Sequence, residues 1–501
     1  MNQAANSSPR GWMYRAFRRV CPLVVAACVC ATASIARAAR SDEMFKAAQR
    51  LTREYAASLE QLAAWCDEKG LSAQAAATRE RAKPEDPSEI RVPVLPVRVG
   101  ERAALREGAS KDEAEWHERL WRLRRQNAEE RFRLAKKAVK VGHASLALDL
   151  ALAAIHEDPD NDSVRRLMGY QQFRGGWYTP FEVERLRTGH VWDDRFGWIR
   201  KSHLARYEKG ERLCEGRWVS ADEDARLRRN INQGWIVVTE HYAVRTNHSL
   251  EAGVRLGTQL EALYRVWKQL FLCYYATEEQ VIAMFDRRAT RWNLPRHRIT
   301  YFRTRDEYNA ALRPVMPGVE QSIGAYLGNS REAYFFADDG RDERTLLHEA
   351  THQLFHESRP VHRRAGASAN CWVIEGLALF MESLRREGDY YVVGGFDDVR
   401  MVAARHRLLV DEFYVPFATL TRYGLPQLQS DPRIATIYSQ MTGWAHFMIY
   451  HDNGRYRDAL VAYAKAVYDG SQDPMLLSRL TRTPYAELDK QYHEFMKKRS
   501  P

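Results

Sequence analysis

The chain has 501 residues, a formal net charge of +11 at pH 7 and seven cysteines. This is long for a single domain. The arginines are spread throughout rather than clustered on one element, which argues against a nucleic-acid interface, and cysteines at this density do not indicate a scaffold held by disulfides.

Residues 1–38 are predicted to be a signal peptide and not part of the fold. Four arginines precede an apolar run from Cys21 to Ile35, and Ala36-Arg37-Ala38 has the small-x-small pattern of a cleavage site. The run is too short for a transmembrane helix, and no later segment approaches the length of a membrane span. We therefore expect an exported protein, periplasmic or extracellular, with 71 basic and 65 acidic residues after cleavage. Lipid attachment at Cys28 is a weaker alternative.

Residues 39–165 are predicted to form a mainly helical region. Ser41–Arg81 and Lys111–Glu157 are charged and helical in pattern, and the Pro-rich stretch Val92–Val99 between them is expected to be extended. His143–Ile155, closed by an Asp-Pro turn, resembles one tetratricopeptide-like unit, although an ordinary helical pair has the same pattern. These helices are candidates for binding a protein partner or presenting a substrate.

Residues 166–229 contain a short internal repeat. Gly176-Trp177-Tyr178 recurs loosely as Gly216-Arg217-Trp218, which predicts two small strand-turn units, each with a tryptophan packed inward. Stacking of these tryptophans on a carbohydrate is the alternative, and burial is favoured.

Residues 230–395 have an α+β order of elements. Gly234–Asn247 is rich in β-branched and aromatic residues and predicts one strand or a tight hairpin, and Leu250–Phe271 has helical spacing. Four further short runs are strand candidates: Val281–Phe285, Arg298–Phe302, Ile323–Leu327 and Ala333–Phe336.

The sequence His348-Glu349-Ala350-Thr351-His352 is the strongest chemical motif. Asp338-Asp339-Gly340 predicts a turn before this segment, Pro360 predicts the end of a helix, and the apolar spacing between them is helical. Histidines four apart on a helix lie on one face, so both imidazoles can reach a single metal ion. The glutamate between them can then take a proton from a metal-bound water. His356, one turn further along, is expected to support the site or to be structural.

A third ligand is expected because hydrolytic zinc sites use three protein ligands and one open position. The positions three and six residues after His352 hold Phe355 and Ser358, so the glycine and third histidine of metzincins are absent. Glu375 is the better candidate because it lies in a nearly all-apolar helical segment, where an unpaired carboxylate would be costly. A salt bridge from Glu375 to an arginine is the alternative.

Together, the His-Glu-x-x-His motif and Trp372-x-x-Glu375-Gly376-Leu377-Ala378 resemble the glutamate zincins, the peptidase MA-like superfamily that includes M1 aminopeptidases and thermolysin. The resemblance implies His348, His352 and Glu375 as Zn²⁺ ligands and Glu349 as the general base. It also implies a zincin-like α+β domain with a small mixed sheet, whose edge strand we assign to Ile323–Leu327. The 22 residues between His352 and Glu375 are more than is usual in those relatives, and the excess is assigned to a loop over 359–370.

A downstream segment beginning at Tyr438 resembles part of the M1 enzymes in which a tyrosine stabilises the oxyanion. The match is partial because Gln440 stands where the family has lysine. Tyr438 is therefore a candidate oxyanion donor, with simple packing as the alternative, and His446 is a weaker candidate.

Residues 396–501 are predicted to form a helical subdomain, with helices over Ala435–Tyr450, Tyr456–Tyr468 and Tyr485–Lys498.

These features predict an exported zinc metallopeptidase that hydrolyses peptide bonds in a peptide or protein substrate by Glu349-assisted attack of zinc-bound water. The alternative is a catalytically inactive protein with a peptidase fold whose N-terminal helices bind partners. The intact Glu349 argues against this alternative, because an inactive scaffold does not need the base.

Overall fold

The computed structural model describes residues 43–99, 108–286, 296–337 and 344–498. Helices and small sheets combine in a mixed α+β structure, which confirms the predicted fold class at that level. The signal peptide predicted for residues 1–38, the alternative lipid site at Cys28 and the turn predicted at Asp338-Asp339-Gly340 lie outside these ranges. Within them, no helix is long and apolar enough to cross a bilayer.

The N-terminal region is mainly helical, as predicted, and is built around a helical hairpin. Its helices are α1 (residues 43–68), α2 (Ser72–Ala82), α3 (Lys111–Lys140), α4 (Ala144–Glu157) and α5 (Asp162–Leu167). Helix α3 begins with a capping box in which the Ser110 hydroxyl and the Glu113 carboxylate accept each other's backbone N–H groups. A turn through Gly142, whose φ of 88° favours glycine, brings the alanine- and leucine-rich α4 back against α3.

A strand from this region joins a sheet formed much later in the chain. Strand β1 (Glu89–Pro93) ends at the start of the Pro-rich stretch and pairs antiparallel with β14 (Tyr390–Gly394), which also pairs with β13 (Arg385–Glu387). This pairing connects the N-terminal helices directly to the segment that follows the His-Glu-x-x-His motif and α14 (Cys371–Met381).

Residues 170–227 form three hairpin-helix units, not the two predicted. The hairpins pair β2 (Gln171–Phe173) with β3 (Gly176–Tyr178), β4 (His190–Asp193) with β5 (Gly197–Arg200), and β6 (Glu211–Cys214) with β7 (Arg217–Ser220). The helices that follow them are α6 (Pro180–Arg187), α7 (Leu204–Glu208) and α8 (Ala221–Leu227). The unit we missed contains Trp198. Burial is confirmed for Trp177, whereas Trp198 and Trp218 are half-buried.

A five-stranded mixed sheet supports the motif helix. It contains β8 (Trp235–Val238), β9 (Tyr242–Thr246), β10 (His297–Phe302), β11 (Ala325–Leu327) and β12 (Glu332–Phe336), in the order β11-β12-β10-β9-β8. Of the two alternatives predicted for Gly234–Asn247, one strand or a tight hairpin, the structure has the hairpin, formed by β8 and β9. The prediction that 323–327 contains an edge strand is confirmed by β11. Strand β10 is parallel to both of its neighbours.

Helix α9 (Leu250–Leu270) crosses this sheet at close range. A Cβ atom at Gly253 would lie 2.9 Å from the Thr246 methyl group, so glycine allows the helix to approach the strands. The prediction of a strand at Val281–Phe285 is wrong, because this run belongs to α11 (Glu278–Phe285), which follows the short α10 (Leu272–Tyr275). A capping box between Thr277 and Gln280 stabilises the start of α11.

All but the first of the remaining helices form the largest core together with α9, and the first packs in a smaller cluster with Phe302 and Phe336. In chain order, the remaining helices are α12 (Arg305–Leu312), α13 (Arg344–Glu357), α14 (Cys371–Met381), α15 (Val399–Leu409), α16 (Phe417–Leu420), α17 (Leu425–Ser430), α18 (Ile434–Tyr450), α19 (Arg457–Tyr468), α20 (Leu476–Thr481) and α21 (Tyr485–Lys497). The three C-terminal helices predicted from the sequence are confirmed as α18, α19 and α21.

Candidate metal centre

Helix α13 brings the two motif histidines together. His348 and His352 lie one turn apart on the helix, and their Nε2 atoms are 3.1 Å apart. The opposite face of the helix is buried through Leu347, Ala350 and Leu354, which fixes which residues face the site.

Helix α14 supplies the third group. Among the described residues, His348, His352 and Glu375 form a cluster whose ligand atoms all lie within 4.8 Å of one another. The Glu375 oxygens lie 3.5 Å from the His348 Nε2 atom and 3.8 Å from the His352 Nε2 atom. The predicted approach of the carboxylate to the imidazole pair is therefore present. Among the described residues, Glu375 forms no salt bridge with an arginine, which was the alternative.

The position of Glu375 is fixed by the packing of α14 in the core. The indole of Trp372 is fully buried and donates its N–H to the Tyr463 hydroxyl at 3.0 Å. On the next turn, a Cβ atom at Gly376 would lie 3.1 Å from the Met441 carbonyl oxygen, so glycine allows α14 and α18 to pack closely. The 359–370 segment between α13 and α14 is irregular, as predicted.

Glu382 completes the surroundings of the first histidine, and we did not predict it from the sequence. Its carboxylate lies 2.9 Å from the His348 Nδ1 atom and accepts hydrogen bonds from Arg400 at 2.7 and 2.8 Å. A carboxylate on the outer ring nitrogen directs the other nitrogen toward the site. The signal in the sequence was the spacing, because Glu382 follows Glu375 by seven residues, which is two helical turns on the same face.

Electrostatic interactions in the cluster are strong. Burial by itself would lower the pKa of His348, but its hydrogen bonds to Glu375 and Glu382 outweigh burial and raise that pKa to about 10. Burial would raise the pKa of Glu375, but the two histidines lower it to about 2. Burial lowers the pKa of His352 to about 4. The cluster therefore contains a carboxylate and a neutral imidazole, both available as electron-pair donors.

Glu349 lies between α13 and the edge strand β11. Its Oε2 atom accepts a hydrogen bond from the Tyr326 backbone N–H at 3.1 Å. Burial, together with the charge of Glu375, raises the pKa of Glu349 to about 7. A carboxyl group with a pKa near neutrality can both accept and return a proton.

Tyr438 reaches the cluster from α18. Its hydroxyl donates to Glu375 Oε2 at 3.3 Å, and burial together with the charge of Glu375 raises the pKa of the phenol, which keeps it protonated. His446, the weaker candidate, lies two turns further along, where its Nδ1 atom is 3.0 Å from the Thr442 carbonyl oxygen and its ring contacts Phe380. His446 is a buried core residue.

His356 is not in the three-residue cluster. Its ring lies between Tyr326 and Tyr468, with a centroid distance of 5.5 Å to each. His356 therefore packs with these two tyrosine rings beside the centre.

No family model, no curated protein and no solved structure matches this chain.

Proposed function

We propose that the protein is an exported zinc-dependent metallopeptidase of the glutamate zincin type. The observation that carries the proposal is the convergence of His348, His352 and Glu375, with Glu349 beside them on the motif helix. The five-stranded sheet with β11 at its edge next to α13 is consistent with a zincin-like catalytic domain.

The donor atoms fit Zn²⁺ in type and in spacing. Ligand atoms of a tetrahedral zinc ion with bonds of about 2.0–2.1 Å lie roughly 3.4 Å from one another. The separations of 3.1, 3.5 and 3.8 Å in the cluster are close to this value. Two imidazoles and one carboxylate leave one position open, as hydrolytic zinc sites require. When bound, zinc would supply the Lewis acid that polarises a carbonyl group and lowers the pKa of water.

The chain's own residues would then perform the proton transfers. Glu349 takes a proton from the attacking water and passes it to the leaving amine. The Tyr438 hydroxyl, already directed at the cluster, donates a hydrogen bond to the negative charge that develops on the carbonyl oxygen. Glu382 holds the His348 ring with its Nδ1 atom toward the carboxylate, so that the Nε2 atom, once deprotonated, would face the metal position.

The edge strand gives a route for an extended substrate. Strand β11 pairs with β12 on one side, and the Tyr326 N–H on its other side is directed at Glu349. A peptide added along this open edge would pass directly beside the proposed base. Peptides and proteins are therefore the substrate class that we propose, and the N-terminal helices are a candidate surface for a protein partner.

The direct test is digestion of a peptide library by the mature, zinc-loaded protein, compared with the same protein after chelation. We expect cleavage that disappears on chelation and returns when zinc is added back. A zinc-loaded protein that leaves every peptide intact would contradict the proposal and favour a peptidase-fold protein that only binds partners.

Substitution of Glu382 tests whether the carboxylate that contacts the His348 ring contributes to zinc binding. We expect Glu382→Gln to weaken zinc binding by about 10–100-fold, because the neutral amide no longer orients and polarises the His348 ring. Competition with a coloured chelator measures this affinity. Glu412→Gln is the matched control, because Glu412 is exposed and lies outside the cluster. Equal affinities for both variants would exclude a role for Glu382.

Substitution of Tyr438 separates the role of an oxyanion donor from simple packing. We expect Tyr438→Phe to lower kcat by about 10²–10³-fold while zinc content stays unchanged, because only the hydroxyl is removed. Steady-state kinetics on a peptide cleaved by the wild type measures the change. A variant with wild-type kcat would assign Tyr438 to packing.

A further inference from the structure

A cavity lies away from the metal centre, between the N-terminal helices and the long helix of the sheet domain. It has a volume of about 100 Å³ and is lined by side chains of β1, α4, the segment before β2, the β8–β9 turn and α9. Its walls differ in character. One wall is apolar and includes Val92, Leu95 and Leu152, and the other contains a group of titratable residues.

Two cations on one turn of α9 face this cavity, and no described acidic group is in direct contact with either. Arg265 and Lys268 are half-buried, and in the described part of the chain neither forms an ion pair or a side-chain hydrogen bond. The Arg265 guanidinium lies over the ring of Tyr391, 5.8 Å from its centroid. Burial lowers the pKa of the Lys268 ammonium group. Burial also opposes the charge of Arg265, but the nearby Tyr170, Tyr391 and Glu261 outweigh it and raise the pKa of Arg265. Lys268 is therefore the cation that gains most from a bound anion.

One acidic group in the same wall is also unpaired. Glu261 already has hydrogen-bond partners, because its two oxygens lie 2.7 Å from the backbone nitrogen and the ring Nδ1 atom of His241. Glu240 has no hydrogen bond or ion pair among the described residues, although its charge acts on Lys268. The cavity therefore presents positive and negative groups that do not contact each other.

The size of the cavity limits the ligand. If one water-sized group occupies about 10–15 Å³, the cavity holds roughly seven to ten such groups. An aliphatic amino acid such as leucine has about nine non-hydrogen atoms, which is within this range.

We propose that this cavity binds a free aliphatic α-amino acid. The carboxylate of the ligand pairs with Arg265 and Lys268, and its ammonium group pairs with Glu240. The aliphatic side chain then lies against Val92, Leu95 and Leu152. The terminus of a longer peptide fits less well, because it carries only one of the two charges and continues beyond the volume of the cavity.

Calorimetry and thermal unfolding of the mature protein with L-leucine test this proposal. We expect saturable binding at one site per chain and a rise in Tm at ligand concentrations well above Kd. N-acetyl-leucine and leucinamide, which each lack one of the two charges, are expected to bind at least tenfold more weakly. If leucine, valine and methionine all give neither heat nor a change in Tm, the proposal is wrong.

Two variants locate the binding site. Lys268→Met is expected to remove the leucine-dependent rise in Tm, while the Tm without ligand stays the same or increases because a buried unpaired charge has been removed. Arg255→Gln is the matched control on the same helix, where Arg255 is exposed, and it is expected to bind like the wild type. Unchanged leucine binding by Lys268→Met, or equal loss in both variants, would overturn the assignment to this cavity.

Discussion

Replacement of Glu349 by glutamine is expected to lower kcat/KM for peptide hydrolysis by about 10²–10⁴-fold while the protein keeps its zinc. Glutamine has the same shape, and its amide oxygen can still accept the hydrogen bond from the Tyr326 N–H. The neutral amide of glutamine, however, is too weak a base to take a proton from water. The variant thus removes proton transfer and leaves the ligand set intact.

Zinc content and Tm of Glu349→Gln are the controls, and both should equal those of the wild type. Kinetics should be measured on a peptide that the wild type cleaves in a chelator-sensitive manner. Activity within twofold of the wild type would contradict the role of Glu349. Loss of zinc together with activity would mean that Glu349 is needed for the structure of the centre, not for proton transfer.

Replacement of His352 by alanine is expected to remove both zinc and activity. Two protein ligands remain, and neither can replace the lost imidazole because His348 and Glu375 already contribute their own donor atoms. Zinc content after dialysis should fall from about one per chain to near zero, and added zinc should no longer raise Tm. The metal-free fold should persist, because the core residues of α13 lie on its opposite face.

His356→Ala is the matched control for this experiment. It removes an imidazole from the same helix, one turn further along, at a residue that is not in the cluster. We expect this variant to keep its zinc. Equal zinc in His352→Ala and the wild type, or equal loss in both variants, would remove the assignment of the ligands.

The centre could be predicted to a large extent because its geometry is mostly local. His348 and His352 are placed together by one turn of helix, which spacing alone determines. Glu375 could be predicted because a carboxylate in an apolar helix needs a partner. Glu382 was missed because its role depends on the direction of the His348 ring, which follows from how α13 packs against α14.

The fold was predicted less completely where contacts are distant in sequence. Nothing near residues 89–93 indicates that they pair with residues 390–394. The pairing depends on how the whole chain between the two strands folds. At Val281–Phe285 the β-branched and aromatic residues indicated a strand, but the capping box at Thr277 and the packing of Val281 and Phe285 favour a helix. The hairpin with Trp198 was missed although it has the same Gly-Trp pair as the first, because three residues, 194–196, join its strands where two residues join those of the other hairpins.

X-ray absorption spectroscopy of the zinc-loaded mature protein is the most direct test of the central claim that His348, His352 and Glu375 hold one zinc ion. We predict one zinc per chain, with a first shell of nitrogen and oxygen atoms at about 2.0–2.1 Å and outer-shell scattering from two imidazoles. The imidazole scattering should be lost in His352→Ala. A sulfur atom at about 2.3 Å, or an imidazole signal unchanged in that variant, would contradict the assignment.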